Sequence, residues 1–583
     1  MKSLKYLNHY FLKYKYRLLL GFLFVAISNI LMMSQGEVIE KATNRFESFI
    51  KGEHQEHDFS WLSLIMLALA LGSGIFMFLK RQFIIVLSRF IETDLKNDIY
   101  EHYQRMDLAF YKRNNTGDLM NRISEDVSKV RMYIGPAVMY IVDTFFTIAT
   151  GLAYMINKNA LLTLVVFIPL PILSIIIFRV SSKINKRSTK VQENLSELTS
   201  NAQESFSDIR VIKAYNKENF FLSLFSKQAD KYKESALQLA RIESLFHPVI
   251  TFMIGLSLIA LVYYGGKLYI SGSIAAGTIT ASIFIVYKLT WPFASLGWTT
   301  SIIQRAAASQ ERINEFLNAK PAITNTSHEL LEKINTVEFK NVSFVYPDTG
   351  IEAIKNISFT LSSSETLAIV GPTGSGKSTV ATLLTRFYDC TKGEVTVNQR
   401  NIKDVNLFEL RKRTGYVPQE VFLFSDSINN NIAFGLPENT SSLQKIKQAA
   451  KDADVHENIM GFEKNYETIV GERGVMLSGG QKQRLSIARA IIKEPDLLIF
   501  DDCLSAVDTE TEDTIIENLK RIMRNKPSLI ISHRISSIKH ANKIIYLKNG
   551  EIVEQGTHEE LLALGKEYAE LYKLQQIERT TIS

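Results

Sequence analysis

The sequence predicts two unlike domains in series: an all-α domain of six membrane-spanning helices with long polar helical extensions over residues 1–305, and an α/β domain over 337–575. A connector at 306–336 joins them, and 576–583 is left as a C-terminal tail. Three observations carry this reading. Long apolar stretches crowd into the first 305 residues, two long basic segments interrupt them, and after residue 337 short apolar runs alternate with turns. A composition of 46% hydrophobic and 22% charged residues excludes intrinsic disorder and collagen-like repeats, and 583 residues is too long for one simple core. Two cysteines, Cys390 and Cys503, cannot build a disulfide framework and read as reduced thiols. A net charge of +7 is too small to argue for nucleic acid, so no such partner is expected.

Four stretches are free of charge and nineteen residues long: 18–36, 61–79, 160–178 and 248–266. As helices each reaches about 28 Å, which matches the ~30 Å hydrocarbon core of a bilayer. Two further segments, 132–157 and 277–303, carry one charge each, Asp143 and Lys288. A soluble core helix rarely stays apolar on every face for this long. Six spans follow.

Orientation comes from the loops. Lys2, Lys5, Lys13, Lys15 and Arg17 precede the first span, and segments 80–131 and 179–245 are rich in Lys and Arg. The connection 37–60 is acid-rich, and the remaining two offer only Lys158 and Lys267. The positive-inside rule then puts both termini in the cytoplasm. The basic N-terminus lacks a small-residue cleavage site after Met33, so the first apolar run is an anchor rather than a signal peptide. The two basic segments read as long helices reaching into the cytosol, each broken once, at 114–118 and at 205–215. The tip of such a helical hairpin is a natural docking surface.

In the second half, 337–346, 357–361 and 366–370 read as strands. Gly371-Pro372-Thr373-Gly374-Ser375-Gly376-Lys377-Ser378-Thr379 follows the third strand at once, and the helical stretch 380–388 comes next. Strand, glycine-rich loop and helix in that order is the context of a P-loop. Its glycines let backbone N–H groups close around phosphates at a helix N-terminus. Lys377 would meet the β- and γ-phosphates and the Ser378 hydroxyl would ligate Mg²⁺, so a nucleoside triphosphate and Mg²⁺ are the expected cofactors. A second apolar strand, 497–500, ends in Asp501-Asp502, and Asp501 is the expected second Mg²⁺ anchor. Between the two lies Leu477-Ser478-Gly479-Gly480-Gln481, opening a helix at 482–492 whose free N–H groups make another anion site.

With these residues the C-terminal half resembles the ATPase domain of ABC transporters, and six spans followed by one such domain resembles a half-size exporter of the multidrug or lipid type. The resemblance makes the expected nucleoside triphosphate ATP, and it implies roles for single residues. Tyr346 looks like the aromatic that stacks on adenine, and Gln419 like the loop glutamine that senses Mg²⁺ and the γ-phosphate. His533 matches the switch histidine, and Ser505-Ala506-Val507-Asp508 matches the loop that crosses to the other ATPase domain. Val470-Gly471-Glu472-Arg473-Gly474 resembles a loop found in exporters, and Gly117-Asp118 and 208–213 fall where exporters place their coupling helices. In the family, two ATPase domains sandwich two ATP molecules, each between the P-loop of one and the LSGGQ of the other. One domain per chain therefore implies a second half-transporter as partner, in a lipid bilayer, expected to be a bacterial cytoplasmic membrane.

One residue departs from the family pattern, which has Glu directly after the Walker B Asp as general base. Here the position holds Asp502, one methylene shorter, so its carboxylate stops about 1.5 Å short. A positioned base contributes ~10²–10⁴-fold, so ATP binding is expected to survive while hydrolysis at this chain's own P-loop is slow. That resembles the degenerate subunit of a heterodimeric exporter, in which the chain is mainly regulatory; a homodimer in which Asp502 works is the alternative. An importer subunit is less favoured, because importers usually keep the two domains on separate chains. The substrate is expected to be hydrophobic or amphiphilic, with drug-like molecules, lipids and peptides all open. Asp143 and Lys288 are costly against lipid, so they are expected to pair with each other, snorkel to an interface or line a substrate cavity.

Overall fold

The computed structural model describes residues 2–51, 57–325, 327, 329–437, 442–471, 474–504 and 509–582. The chain divides into two compact units, one of Met1–Gln104 with Thr116–Ala319, the other of Arg105–Asn115 with Lys320–Ser583.

Among the described residues, six helices of the first unit are long and apolar enough to cross a membrane: Lys15–Ile50, Phe59–Arg105, Thr116–Lys158, Ala160–Ser207, Glu218–Ile270 and Ala276–Leu317. The longest, of 53 residues, extends about 80 Å, far beyond a hydrocarbon core, so its polar end must project. The third helix carries two π-helical turns, Arg122–Asp126 and Tyr133–Ala137. The second of these absorbs Pro136, whose ring and missing N–H disturb the regular ladder. Asn159 separates the third and fourth helices in an extended conformation, and its side chain caps the latter by accepting from the Leu162 N–H at 2.9 Å.

Several boundaries differ from the sequence reading. The expected connector at 306–336 begins inside the last membrane helix, which stays regular to Leu317. The expected C-terminal tail likewise begins within a helix, Glu567–Ile582. In the first basic hairpin the break is at Asn114-Asn115; Gly117 and Asp118 lie inside the next helix, Thr116–Asn121. Arg105–Asn115 groups with the second unit. It forms the short helix Leu108–Arg113, capped by the Asp107 carboxylate, which accepts from the Phe110 N–H at 2.9 Å, and it buries Ala109 in that unit's core. In the second hairpin Asp208 precedes the short helix Ile209–Ala214, and the chain turns at Asn216 with φ 52°.

The charges inside the membrane unit are partnered differently as well. Asp143 pairs with Lys80 at 2.6 Å rather than with Lys288, and it also accepts from the Asn29 amide at 2.8 Å. The Thr147 hydroxyl donates to Asn29 at 2.6 Å, closing a network over three helices. Lys288 lies over the Phe284 ring, 5.1 Å from its centroid. The buried carboxylate of Glu40 accepts from Lys158 at 2.9 Å, from Thr278 at 3.0 Å and from the Tyr154 hydroxyl.

Among its described residues the second unit holds two sheets. Strands β1 (Thr336–Val345), β2 (Glu352–Ser362), β4 (Lys392–Val397) and β5 (Arg400–Asn401) form an antiparallel sheet in the order β2-β1-β4-β5. Strands β3 (Thr366–Val370), β6 (Thr414–Val417), β7 (Leu497–Asp501), β8 (Ser528–Ile531), β9 (Lys543–Lys548) and β10 (Glu551–Gly556) form the other, in the order β10-β9-β3-β8-β7-β6. It is parallel except for the β9–β10 hairpin. Residues of β1 alternate between buried and partly exposed, whereas β7 is buried throughout, as a central parallel strand covered on both faces must be. Ile531 of β8 is level with Ile369 of β3 on one side and with Asp501 of β7 on the other. The loop after β3 and the acidic end of β7 therefore leave the sheet at the same edge.

Candidate functional site

The loop after β3 is shaped by contacts that only glycine permits. Gly371 has φ 151°, and a Cβ there would lie 2.0 Å from the Leu547 carbonyl oxygen; at Gly376, with φ 101°, it would lie 2.3 Å from that of Ala353. Gly374, with φ 79°, faces open space. Gly376 leads into the helix Lys377–Leu384, which begins three residues earlier than the sequence suggested and delivers Lys377, Ser378 and Thr379 in its first turn. The Lys377 ammonium folds back to donate to the carbonyls of Gly371 at 2.9 Å and Pro372 at 2.8 Å. Burial pushes its pKa down to about 8 against the pull of Asp502 and Asp501. The Ser375 hydroxyl is buried with no hydrogen-bond partner among the described residues, an orphan that ligand oxygens would satisfy.

Asp501, at the end of β7, accepts from the Ser378 hydroxyl at 2.9 Å. Burial raises its pKa to about 6, with the neighbouring Asp502 adding to the rise. Hydroxyl and carboxylate oxygens side by side suit a small hard cation, so this pair fits Mg²⁺. Asp502 is buried, adopts φ 48°, and donates its N–H to the Ile531 carbonyl at 2.8 Å. Its carboxylate lies 3.4 Å from the backbone N–H of His533, which donates to it. Burial, assisted by Lys377, holds the His533 imidazole below its usual pKa although Asp502 opposes the shift.

Lys377, Ser378 and His533 line a cleft of about 640 Å³ together with Tyr346, Gly374 and Gln419, and Asp501 reaches it through its bond to Ser378. Tyr346 is fixed at both ends: its hydroxyl lies 3.0 Å from that of Thr379, and its ring packs edge-on against Phe344 and Tyr388. Lys112, on the segment Arg105–Asn115, stands over the Tyr346 ring at 4.9 Å. The sequence reading missed the turn Asn549-Gly550, which also lines the cleft and donates the Gly550 N–H to the Ser375 carbonyl at 3.1 Å. Its Asn-Gly pair, with both residues at positive φ, signals a tight hairpin turn. Nothing local signals that the turn abuts the P-loop.

Leu477 is buried, Ser478 and Gly479 are exposed, and the helix Gly479–Ile491 starts three residues before the expected 482. Fewer of its N–H groups are free than expected. Ser478 Oγ accepts from the Gln481 N–H at 3.2 Å while the Gln481 side chain accepts from the Ser478 N–H at 3.0 Å, a reciprocal capping box. Asp508, in the segment 505–508, and residues 472–473 lie outside the described residues. Cys390 and Cys503 are free thiols, and burial raises the pKa of both.

Residues 18–293 match the family described as "ABC transporter transmembrane region" and residues 354–505 the one described as "ABC transporter". The chain is similar to an "ATP-dependent lipid A-core flippase" of Syntrophus aciditrophicus, 34% identical over 517 residues, 88% of this chain and 85% of that one. It is also similar to the "Multidrug resistance-like ATP-binding protein MdlA" of Escherichia coli, 35% identical over 492 residues, 84% of this chain and 82% of that one. In fold it resembles a solved bacterial Atm1-family ABC exporter with ATP bound, with a TM-score of 0.81 over 96% of this chain and 99% of the other at 24% identity. With both domains matched on one polypeptide and relatives of this identity aligned over most of it, the chain belongs to the ABC transporter family, as a half-size exporter whose ATPase domain hydrolyses ATP to drive transport.

Proposed function

We propose that the chain moves a hydrophobic or amphiphilic substrate out of the cytoplasm as half of a dimer. The observation that carries this reading is the convergence of Lys377, Ser378, Gln419 and His533 on one cleft, with Asp501 bonded to Ser378, in a chain that also holds six membrane-crossing helices. Lys377 and the N–H groups of the loop hold the phosphates, Tyr346 stacks on the adenine, and Gln419 and His533 attend the γ-phosphate. Ser378, Gln419 and Asp501 supply oxygens for Mg²⁺, which when bound offsets the charge of the β- and γ-phosphates. The exposed Ser478 and Gly479, with the half-buried Gly480, are half of a second site that a partner's ATP completes. The names of the two relatives, a lipid flippase and a multidrug-like protein, support an amphiphile as cargo. The basic segments support cytosolic termini.

The partner is a second half-transporter. Asp502 favours a heterodimer, since a short carboxylate within reach of the His533 backbone N–H is poorly placed to extend toward an attacking water. A homodimer is the competing assembly. The test is ATP-dependent movement of a fluorescent lipid in vesicles containing the purified chain, alone and with its native partner. Movement should require ATP and stop with Lys377→Ala. Unchanged ATP affinity at this P-loop in Lys377→Ala would sink the site assignment.

A further inference from the structure

The helix Ala160–Ser207 changes character along one face. Ile168, Ile172 and Ile175 are exposed on it, and Arg179, Lys183 and Lys186 continue the same stripe at steps of three and four residues. Arg187 and Lys190 stand beside it. Along this basic stretch runs a groove of about 820 Å³, lined by Lys183, Lys186, Arg187 and Lys190, with Glu193 as its one carboxylate and Ile242 of the neighbouring helix opposite. Arg187 is held across the groove by donating to the Gln238 side chain at 2.7 Å, and Lys190 pairs with Glu193 at 3.0 Å. Lys183 and Lys186 have no carboxylate partner among the described residues. Four cations facing one anion leave the groove short of negative charge.

Position along the helix says where that charge would come from. Lys183 lies five residues, about 8 Å, beyond the last charge-free residue, while the headgroup layer is about 5–8 Å deep on each side. Helical side chains lean toward the N-terminus, here back toward the apolar stretch, and the long stems of Lys and Arg extend that reach. We propose that this groove binds the phosphate-bearing headgroup of an anionic membrane lipid. Lys183, Lys186 and Arg187 bind the phosphate, and the isoleucine stripe lies along an acyl chain. A soluble phosphate compound would use the cations and leave the stripe unused; the continuity of the two is what selects a lipid. The site rests on the membrane placement of this helix and is independent of hydrolysis and of cargo.

The test is binding of fluorescent phosphatidylglycerol to the purified full chain in detergent without nucleotide, compared with the triple variant Lys183→Gln, Lys186→Gln, Arg187→Gln. Near an anionic headgroup each basic residue is worth about fivefold, so the variant should bind about a hundredfold more weakly. Wild-type binding should fall as salt rises, and the charge-retaining double variant Lys183→Arg, Lys186→Arg should keep it. ATP binding at Lys377 serves as the fold control, so failure here is separable from failure of the transport reading. Equal lipid affinity in wild type and triple variant overturns the proposal. Displacement of the lipid by inorganic phosphate overturns its lipid source. Loss of self-association with lipid binding intact assigns the face to a second chain instead.

Discussion

The membrane-unit network and the nucleotide site bury charge in opposite ways. In the membrane unit Asp143 is met by Lys80 and Asn29, and Glu40 by Lys158, Thr278 and Tyr154. Each carboxylate there has its countercharge and its hydrogen bonds from the same unit. In the ATPase unit Lys377 leans on two neutral carbonyls and Asp501 on one hydroxyl, and burial shifts both toward their neutral forms. A buried charge with a full set of partners holds helices together; one kept short of them keeps its capacity for a ligand. The contrast predicts that removing the first kind costs stability and removing the second costs chemistry.

The largest effects are expected at Asp502 and Ser478, and which of the two dominates separates the assemblies. Asparagine can still accept from the His533 N–H, so Asp502→Asn should leave unfolding unchanged while removing the base, worth ~10²–10⁴-fold where the site turns over. In a heterodimer that loss falls on a site already slow, and overall turnover changes little; Ser478→Arg, set against the γ-phosphate of the partner's ATP, is then far more damaging. In a homodimer both substitutions fall in every site and both abolish hydrolysis. Asp502→Glu should raise hydrolysis if reach is limiting. Rapid ATP turnover by the chain alone, stopped by Asp502→Asn, would end the slow-site reading.

The next effect tests the other side of the contrast. The Lys80 side chain is 9% exposed and that of Asp143 24%, so Lys80→Met leaves a half-buried carboxylate without its countercharge; the ~3–5 kcal/mol of a fully buried pair is an upper bound here, because Asp143 keeps the Asn29 amide. Lys80→Met with Asp143→Leu should recover most of that, with ATP affinity unchanged throughout. A double-mutant cycle showing no coupling between the two sites would break the claim that this pair is scaffold.

The same contrast explains what could be read beforehand. The P-loop, the strand ending in Asp501 and the LSGGQ helix start are local patterns, in which a few consecutive residues fix both backbone and chemistry. The network of Asn29, Lys80 and Asp143 joins three helices whose facing sides depend on packing, and Lys80 read as the first cytosolic charge after the second span. The segment Arg105–Asn115 was missed for a similar reason. The run 114–118 reads as the break, whereas the Asp107 cap and the buried Ala109 fix the short helix Leu108–Arg113 in the second unit. The spans themselves were legible because apolar length is a composition signal, but where regular helix ends at Leu317 is not.

A smaller effect comes from pH. The raised pKa of Asp501 favours its neutral form in the fold, so its contribution to stability of the ligand-free protein is full below the usual carboxylate range and is lost as pH rises through about 6. Mg²⁺ needs the ionised form and should bind more weakly below about pH 6, by about tenfold per unit. ATP affinity should also decline above about pH 8, where Lys377 loses its charge. Titration calorimetry of Mg-ATP across that range should show a plateau between the two values, and Asp501→Asn should remove the acidic limb. An acidic limb that persists in Asp501→Asn places the titrating group elsewhere.

The smallest effect is expected from Ser478→Ala, at a residue that belongs to neither side of the contrast because it is exposed and yet capped. Its hydroxyl and the Gln481 side chain satisfy two N–H groups at the start of the helix Gly479–Ile491. Losing such a cap costs about 1 kcal/mol. The rest of that helix is anchored by buried Leu485, Ile487 and Ala488, so the loss in Ser478→Ala should stay in the first turn. Amide exchange at 479–481 should speed up about fivefold, with the global unfolding transition nearly unmoved. Ser478→Thr keeps a hydroxyl acceptor and should restore slow exchange. If Ser478→Ala instead lowers the global transition as much as Lys80→Met does, the helix start is scaffold of the same kind as the membrane network. Its exposure would then no longer mark it as the open half of a ligand site.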